Sequence, residues 1–317
     1  MLGVTGLLDS PLSRLLTSPA PLILDGGLAT ELEARGHDLS DRLWSARLLR
    51  DDPAAIEAAH LAFLRAGAVI VETASYQASI EGFEAMGLEA EAADRLLRVS
   101  VELARSARRT FLAERSEAQA PLVAASVGPY GAMLAGGQEY TGEYGVATAT
   151  DISTFHERRL RTLIAAEPDC IACETIPRAD EASILAALLD ELDGPSAWIS
   201  FTCRDGATTA AGEPIEAAVA AATASARVVA VGVNCTAPEH IGELLRRASG
   251  ATDLPLVAYP NSGRVWDGVA RRWMTLGTER LPATLVADWI DEGARIVGGC
   301  CGLGPSAIAD MAAAASG

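Results

Sequence analysis

The chain has 317 residues, half of them hydrophobic, with a formal net charge of −17 and a pI near 4.6. This length can bury a large core, enough for one α/β barrel or for two ordinary domains. The acidic balance argues against nucleic acid or an anionic membrane surface as partner, and no apolar run approaches the ~20 residues that cross a bilayer.

Residues 1–20 lack a basic n-region and are broken by Pro11, so they make a poor signal peptide and read as a loose N-terminal arm before one domain over 21–317. Six cysteines in a chain this long do not form a disulfide scaffold; without an export signal, reduced thiols and a cytoplasmic location are expected. Short β-branched runs then recur, and strands are predicted at 22–25, 69–73, 122–126, 170–174, 198–202, 228–233, 256–259 and 295–297. Their apolar continuity suits strands buried on both faces. Helical spacing marks 53–66, 90–115, 154–166, 178–192, 215–226, 238–248 and 283–292 between them. Eight alternating repeats predict an α/β fold, a single (β/α)8 TIM barrel, with a doubly wound open sheet as the alternative. The stretch 128–153 exceeds a normal βα loop and carries five glycines between Gly131 and Gly145, so it is either disordered or a lid.

In such a barrel the site lies where strands end and βα loops begin. The predicted strand ends carry Asp25-Gly26-Gly27, Glu72, Tyr76, Tyr130, Glu174, Asn234-Cys235, Tyr259 and Cys300-Cys301. Polar, acidic, aromatic and thiol groups thus gather at one rim, where random placement would scatter them to both ends. That clustering points to an enzyme.

Strands six and eight of a closed barrel are separated by one strand, so Cys235 can approach Cys300 and Cys301. Three thiolates supply three corners of a zinc tetrahedron and leave the fourth open, the arrangement of a catalytic site. Adjacent strand residues point to opposite faces, so Cys300 and Cys301 can face one ion only if the backbone bends; Gly298, Gly299 and Gly302 supply that freedom. On spacing alone, buried thiols and a vicinal disulfide stay open as readings.

Asp25, Glu72 and Glu174 could each cap a helix or bind a loop, but three carboxylates on one rim favour a cationic group. Trp44, Tyr76, Tyr130 and Tyr259 fall on the same rim, where aromatic faces attract onium ligands or simply pack beneath loops. Gly302-Leu303-Gly304-Pro305-Ser306-Ala307 formally matches GxGxxA, but no βαβ unit follows it, so it reads as a helix N-terminus with Pro305 in the first turn. His37, His60, His156 and His240 do not cluster, which leaves no histidine-based metal site or triad.

The blocks DGGLATELEARG (25–36), ETASYQAS (72–79), VGPYGAML (127–134), EYTG (139–142), CETIP (173–177), GVNC (232–235), YPNSG (259–263) and GGCCG (298–302) closely resemble the homocysteine S-methyltransferases, in order, from about residue 22 to 310. GVNC followed some sixty residues later by GGCCG is the specific part. The resemblance implies a zinc-dependent barrel that methylates homocysteine to methionine, with Cys235, Cys300 and Cys301 as its zinc ligands. It places the acceptor's amino-acid moiety near Asp25, Gly26, Gly27 and Glu174, with Asn234 of GVNC beside them. Trp44 and Tyr76 correspond to the methyl-donor side, and Tyr130 and Tyr259 are grouped with them. Betaine-using relatives carry a tyrosine directly after the counterpart of Glu174; here that residue is Thr175. The block ETASYQAS looks more like the S-methylmethionine-using branch, with S-adenosylmethionine as the other sulfonium donor. The implied partners are small molecules only, and nothing in the sequence speaks to oligomeric state. Selenocysteine or another small thiol is the alternative acceptor, and a non-catalytic zinc- or thiol-binding barrel is the alternative of another class.

Overall fold

The computed structural model describes residues 10–39, 44–263, 266–267, 272–273, 277–278 and 280–315. Eight parallel strands follow one another around a single sheet: β1 (Leu22–Ile23), β2 (Ile70–Glu72), β3 (Leu122–Val127), β4 (Cys170–Ile176), β5 (Ala197–Phe201), β6 (Val228–Asn234), β7 (Leu256–Tyr259) and β8 (Ala294–Val297). Leu22 pairs with Ile296, and a parallel bridge between Leu24 and Ile70 joins β1 to β2. An open sheet would leave these two strands as edges. The chain therefore forms the expected (β/α)8 barrel.

Side chains alternate between the barrel interior and the surrounding helices, because successive strand residues point to opposite faces. Leu22, Ile70, Leu122, Cys170, Trp198, Ala230, Val257 and Ile296 fill the interior, while a second apolar layer, including Val71, Val123, Ile171, Ile199 and Val231, packs against helices. Where β6 and β7 approach, a side chain at Gly232 would put its first carbon 2.0 Å from the Val257 carbonyl oxygen, so only glycine fits.

Three local differences from the sequence expectations have identifiable causes. The helix expected at 154–166 begins five residues earlier, as Ala149–Ile164, because Thr148 and Asp151 form a reciprocal capping box. Within the arm read as loose, Pro11–Leu16 is a helix. Ser10 caps it, and Pro11 is preset for its first turn. Its Leu12 is fully buried against the interior residues Leu22, Leu24 and Ile70. Finally, Trp266–Asp267 pairs antiparallel with Arg272–Trp273, a ribbon too short to leave a periodic signal. Pro305 does open a helix, Pro305–Ala314. Among the described residues, no helix is long and apolar enough to cross a membrane.

Candidate active site

Interior parity carries Glu72, Ser126, Glu174, Ser200, Asn234 and Tyr259 to the top of the barrel, each at or near the C-terminal end of its strand. A cleft opens there, lined by Asp25, Gly26, Gly27, Glu72, Tyr76, Ser126, Tyr140, Glu174, Thr175 and the cysteines Cys235, Cys300 and Cys301, among others.

The cysteines converge as the barrel geometry requires. The sulfur of Cys235 lies 2.9 Å from that of Cys300 and 3.7 Å from that of Cys301, and the latter two are 3.9 Å apart. All three are free thiols, and among the described residues they are the group of ligand atoms gathered closely enough to hold a metal ion. Three soft donors in this spacing fit zinc chemistry. The bend comes from two places. Gly302 adopts φ +85°, and Cys235, directly after β6, adopts φ +47°. Cys235 is held there by its own amide, which donates to the Tyr259 carbonyl at 3.0 Å, and by Asn261 Nδ2 donating to its carbonyl at 3.1 Å. Gly298 and Gly299 serve close packing instead, against Leu24 and Leu303. Hydrogen bonds from Cys300 and Cys301 hold the Cys235 thiol well below its usual range, and that same donation pushes the other two up.

The carboxylates face the same cleft. Glu72 N–H donates to Asp25 Oδ2 at 3.0 Å, while Asp25 Oδ1 and Glu72 Oε1 are buried without a partner among the described residues. Ser126 Oγ donates to Glu174 Oε1, and Asn234 Nδ2 reaches Glu174 Oε2 at 3.4 Å. Burial, then the negative charge of neighbouring acids, pushes Asp25 and Glu72 well up; burial raises Glu174 to about 8. Among the described residues, no Lys, Arg or His lines the cleft. An arrangement with orphaned acid oxygens and no basic group is built to receive a cation.

Not every rim residue reaches this cleft. Asn234 lies just below it, fully buried, bonded to Thr175, Ser200 and Glu174. Tyr259 is also beneath it: its hydroxyl meets Ser200 Oγ at 2.6 Å, accepts from Trp198 Nε1 at 3.1 Å and bonds to Glu72. Tyr130 packs on Tyr144 and Phe155 and does not line the cleft. Tyr76 does line it. Trp44 opens the short 3-10 turn Trp44–Arg47, but its side chain lies outside the described residues. Residue-level reading missed Tyr140, whose hydroxyl is 3.5 Å from the Cys235 sulfur. Its traces were a tyrosine inside a glycine-rich stretch and its place in the block EYTG, which carried the resemblance but no assigned role.

That stretch is ordered. Tyr130–Leu134 is helical and Gln138–Tyr140 forms a 3-10 turn. Buried Glu181 ties it down by accepting from Tyr130 N–H at 2.6 Å and from the Tyr144 hydroxyl, and it meets His156 Nε2 at 2.8 Å. Arg159, buried and stacked on Phe155, donates to the carbonyls of Gly128, Ser75 and Tyr76, each at 3.0 Å. The backbone that carries Tyr76 is thereby fixed to the helix Ala149–Ile164.

A family model described as homocysteine S-methyltransferase matches residues 22–315. The homocysteine S-methyltransferase of Escherichia coli (strain K12) is 44% identical over 306 residues, covering 96% of this chain and 98% of that protein. The selenocysteine Se-methyltransferase of Brassica oleracea var. italica is 44% identical over 299 residues, covering 90% of this chain and 86% of that one. Among solved structures, the metallated form of the E. coli homocysteine methyltransferase MmuM superposes with a TM-score of 0.86 at 43% identity, covering 96% of this chain and 99% of the other.

Proposed function

The chain belongs to the homocysteine S-methyltransferase family, and from that premise we propose that it moves a methyl group from a sulfonium donor to the thiol of L-homocysteine, giving methionine. The observation that carries this reading is the meeting, in one cleft, of three free thiols with three carboxylates, with no basic side chain among the described residues that line it. Cys235, Cys300 and Cys301 would hold a zinc ion. When bound, zinc supplies Lewis acidity that keeps a small thiol deprotonated at neutral pH.

The chain's own residues do the rest. Asp25 and Glu174 offer acid oxygens to the acceptor's ammonium group, and Asn234 positions Glu174 from below. Gly26 and Gly27 form the adjoining wall; a side chain at Gly27 would strike the Cys300 carbonyl at 2.7 Å, so glycine lets the acceptor-binding turn approach the thiols. Tyr76 and Trp44 are assigned to the donor side, while Tyr130 and Tyr259, off the cleft, are not. Positive charge on the donor vanishes during transfer, so the carboxylates should orient it without gripping it too tightly. Thr175 in place of tyrosine supports S-methylmethionine or S-adenosylmethionine over betaine. The need for three reduced thiols suits the cytoplasm, and the product places the reaction in methionine formation.

The test is methionine formation from homocysteine with S-methylmethionine, S-adenosylmethionine or betaine, with metal measured on the same sample. Activity with a sulfonium donor that scales with about one zinc per chain supports the reading; methyl transfer by metal-free protein sinks it. The 44% identity to a selenocysteine Se-methyltransferase favours trying selenocysteine as a second acceptor.

A further inference from the structure

A methyltransferase built on thiolates faces a chemical difficulty: its own cysteines are nucleophiles held beside the methyl donor. Each could attack the donor as the acceptor does. The sulfur lone pair would form a bond to the methyl carbon, the donor's carbon–sulfur bond would break, and the donor would leave as a neutral thioether. The cysteine would be left as a permanent methyl thioether, a poorer ligand. This difficulty follows from the zinc and methyl-transfer reading above and rests on it.

The cleft treats its three sulfurs unequally. Cys300 packs against the apolar barrel interior. Cys235 and Cys301 have a different neighbour, the Tyr140 hydroxyl, which lies 3.5 Å from the Cys235 sulfur and also bonds to Cys301. Tyr140 lines the cleft itself, beside the sulfurs. The segment carrying it is not free to swing away, because Glu181 anchors it on both sides through Tyr130 and Tyr144. We infer that Tyr140 shields Cys235 and Cys301 from methylation by the donor, by donating its hydroxyl proton to their sulfurs and covering them with its ring. A phenol remains protonated at neutral pH and can only donate to a thiolate. A hydrogen bond stabilises the thiolate lone pair, and nucleophilicity falls with that stabilisation. Tyr140 is therefore a protecting residue; the acceptor's sulfur keeps the advantage.

The experiment uses zinc-loaded wild type and Tyr140→Phe, with zinc quantified first. Each is incubated with S-methylmethionine without acceptor and, separately, with iodoacetamide, and modification is read at individual cysteines by peptide mass. Phenylalanine keeps the ring and deletes only the hydroxyl that donates the hydrogen bond. Cys235 and Cys301 should then react about 3- to 10-fold faster with both reagents, from a charge-assisted bond scaled by the partial sensitivity of thiolate attack. Tyr140→Ala should raise this further, and Cys300 should change least. Equal rates in wild type and Tyr140→Phe overturn the inference. If Tyr140→Phe does not retain zinc, wild type decides: methylation of its Cys235 as fast as it makes methionine also overturns it. Iodoacetamide separates the two readings, since it reports shielding even where no donor yields methionine.

Discussion

Thr175 and Asn234 are joined by two hydrogen bonds: the Thr175 amide donates to Asn234 Oδ1 at 2.7 Å, and Asn234 Nδ2 donates to Thr175 Oγ1 at 2.8 Å. Thr175 sits at φ +58°, a left-handed conformation that a β-branched residue adopts only when its surroundings enforce it. The pair pins the end of β4, and with it the adjacent Glu174. Asn234→Ala leaves the Thr175 amide and the Ser200 hydroxyl without their acceptor in a buried site. We expect a loss of about 2–4 kcal/mol in unfolding free energy, together with a weaker KM for homocysteine. A denaturant titration giving less than about 0.5 kcal/mol would contradict this role.

Cys300→Ser should abolish metal retention and methyl transfer together, because two thiolates cannot complete the site and a hydroxyl is a poor soft donor. Cys203→Ser is the matched control. Cys203 is also a buried free thiol, but it lies outside the cleft and should alter stability only. Metal analysis and turnover on the same samples check both, and a metal-replete Cys300→Ser protein would remove that residue from the ligand set.

How much of this was readable beforehand depends on which physical rule each residue obeys. The barrel and the cysteine trio were legible because strand order in a closed parallel barrel is chain order, so ends six and eight must be near neighbours. Tyr259 was legible as a strand end but not as a floor residue, because its inward direction follows from the register that pairs it with Asn234. Tyr130 looked like a rim aromatic; it starts a five-residue helix that turns it onto Tyr144 and Phe155. Tyr140 and Arg159 act through loop and helix placement that no periodicity records. Leu12 was hidden for the opposite reason, because Pro11, read as a break, begins a helix.

Arg159 gives a test of the scaffold beneath Tyr76. Its planar fork reaches three carbonyls at once, a geometry that an ammonium on a flexible stem does not reproduce. Arg159→Lys should keep the charge, lose about 1–3 kcal/mol of stability and raise the donor's KM more than the acceptor's, because the released backbone carries Tyr76. Equal effects on both substrates would assign Arg159 to general stability alone.

His60 gives the clearest pH dependence away from the cleft. It is fully buried in the helix Pro53–Arg65, neither ring nitrogen has a partner among the described residues, and burial lowers its pKa to about 4. In the unfolded chain it titrates near the ordinary 6.5. Between those values the unfolded state binds more protons than the folded one, so stability falls as pH drops from about 6.5 toward 4 and is fully present above that window. Asp25 and Glu174, raised by burial, act with the opposite sign, so wild type alone cannot isolate the histidine. The difference from His60→Leu can: the stability of wild type relative to this variant should drop by about 2 kcal/mol between pH 7 and pH 5. Urea titrations of both proteins at the two pH values measure it, and a difference that does not move with pH would mean that His60 takes up its proton as readily in the folded chain as in the unfolded one.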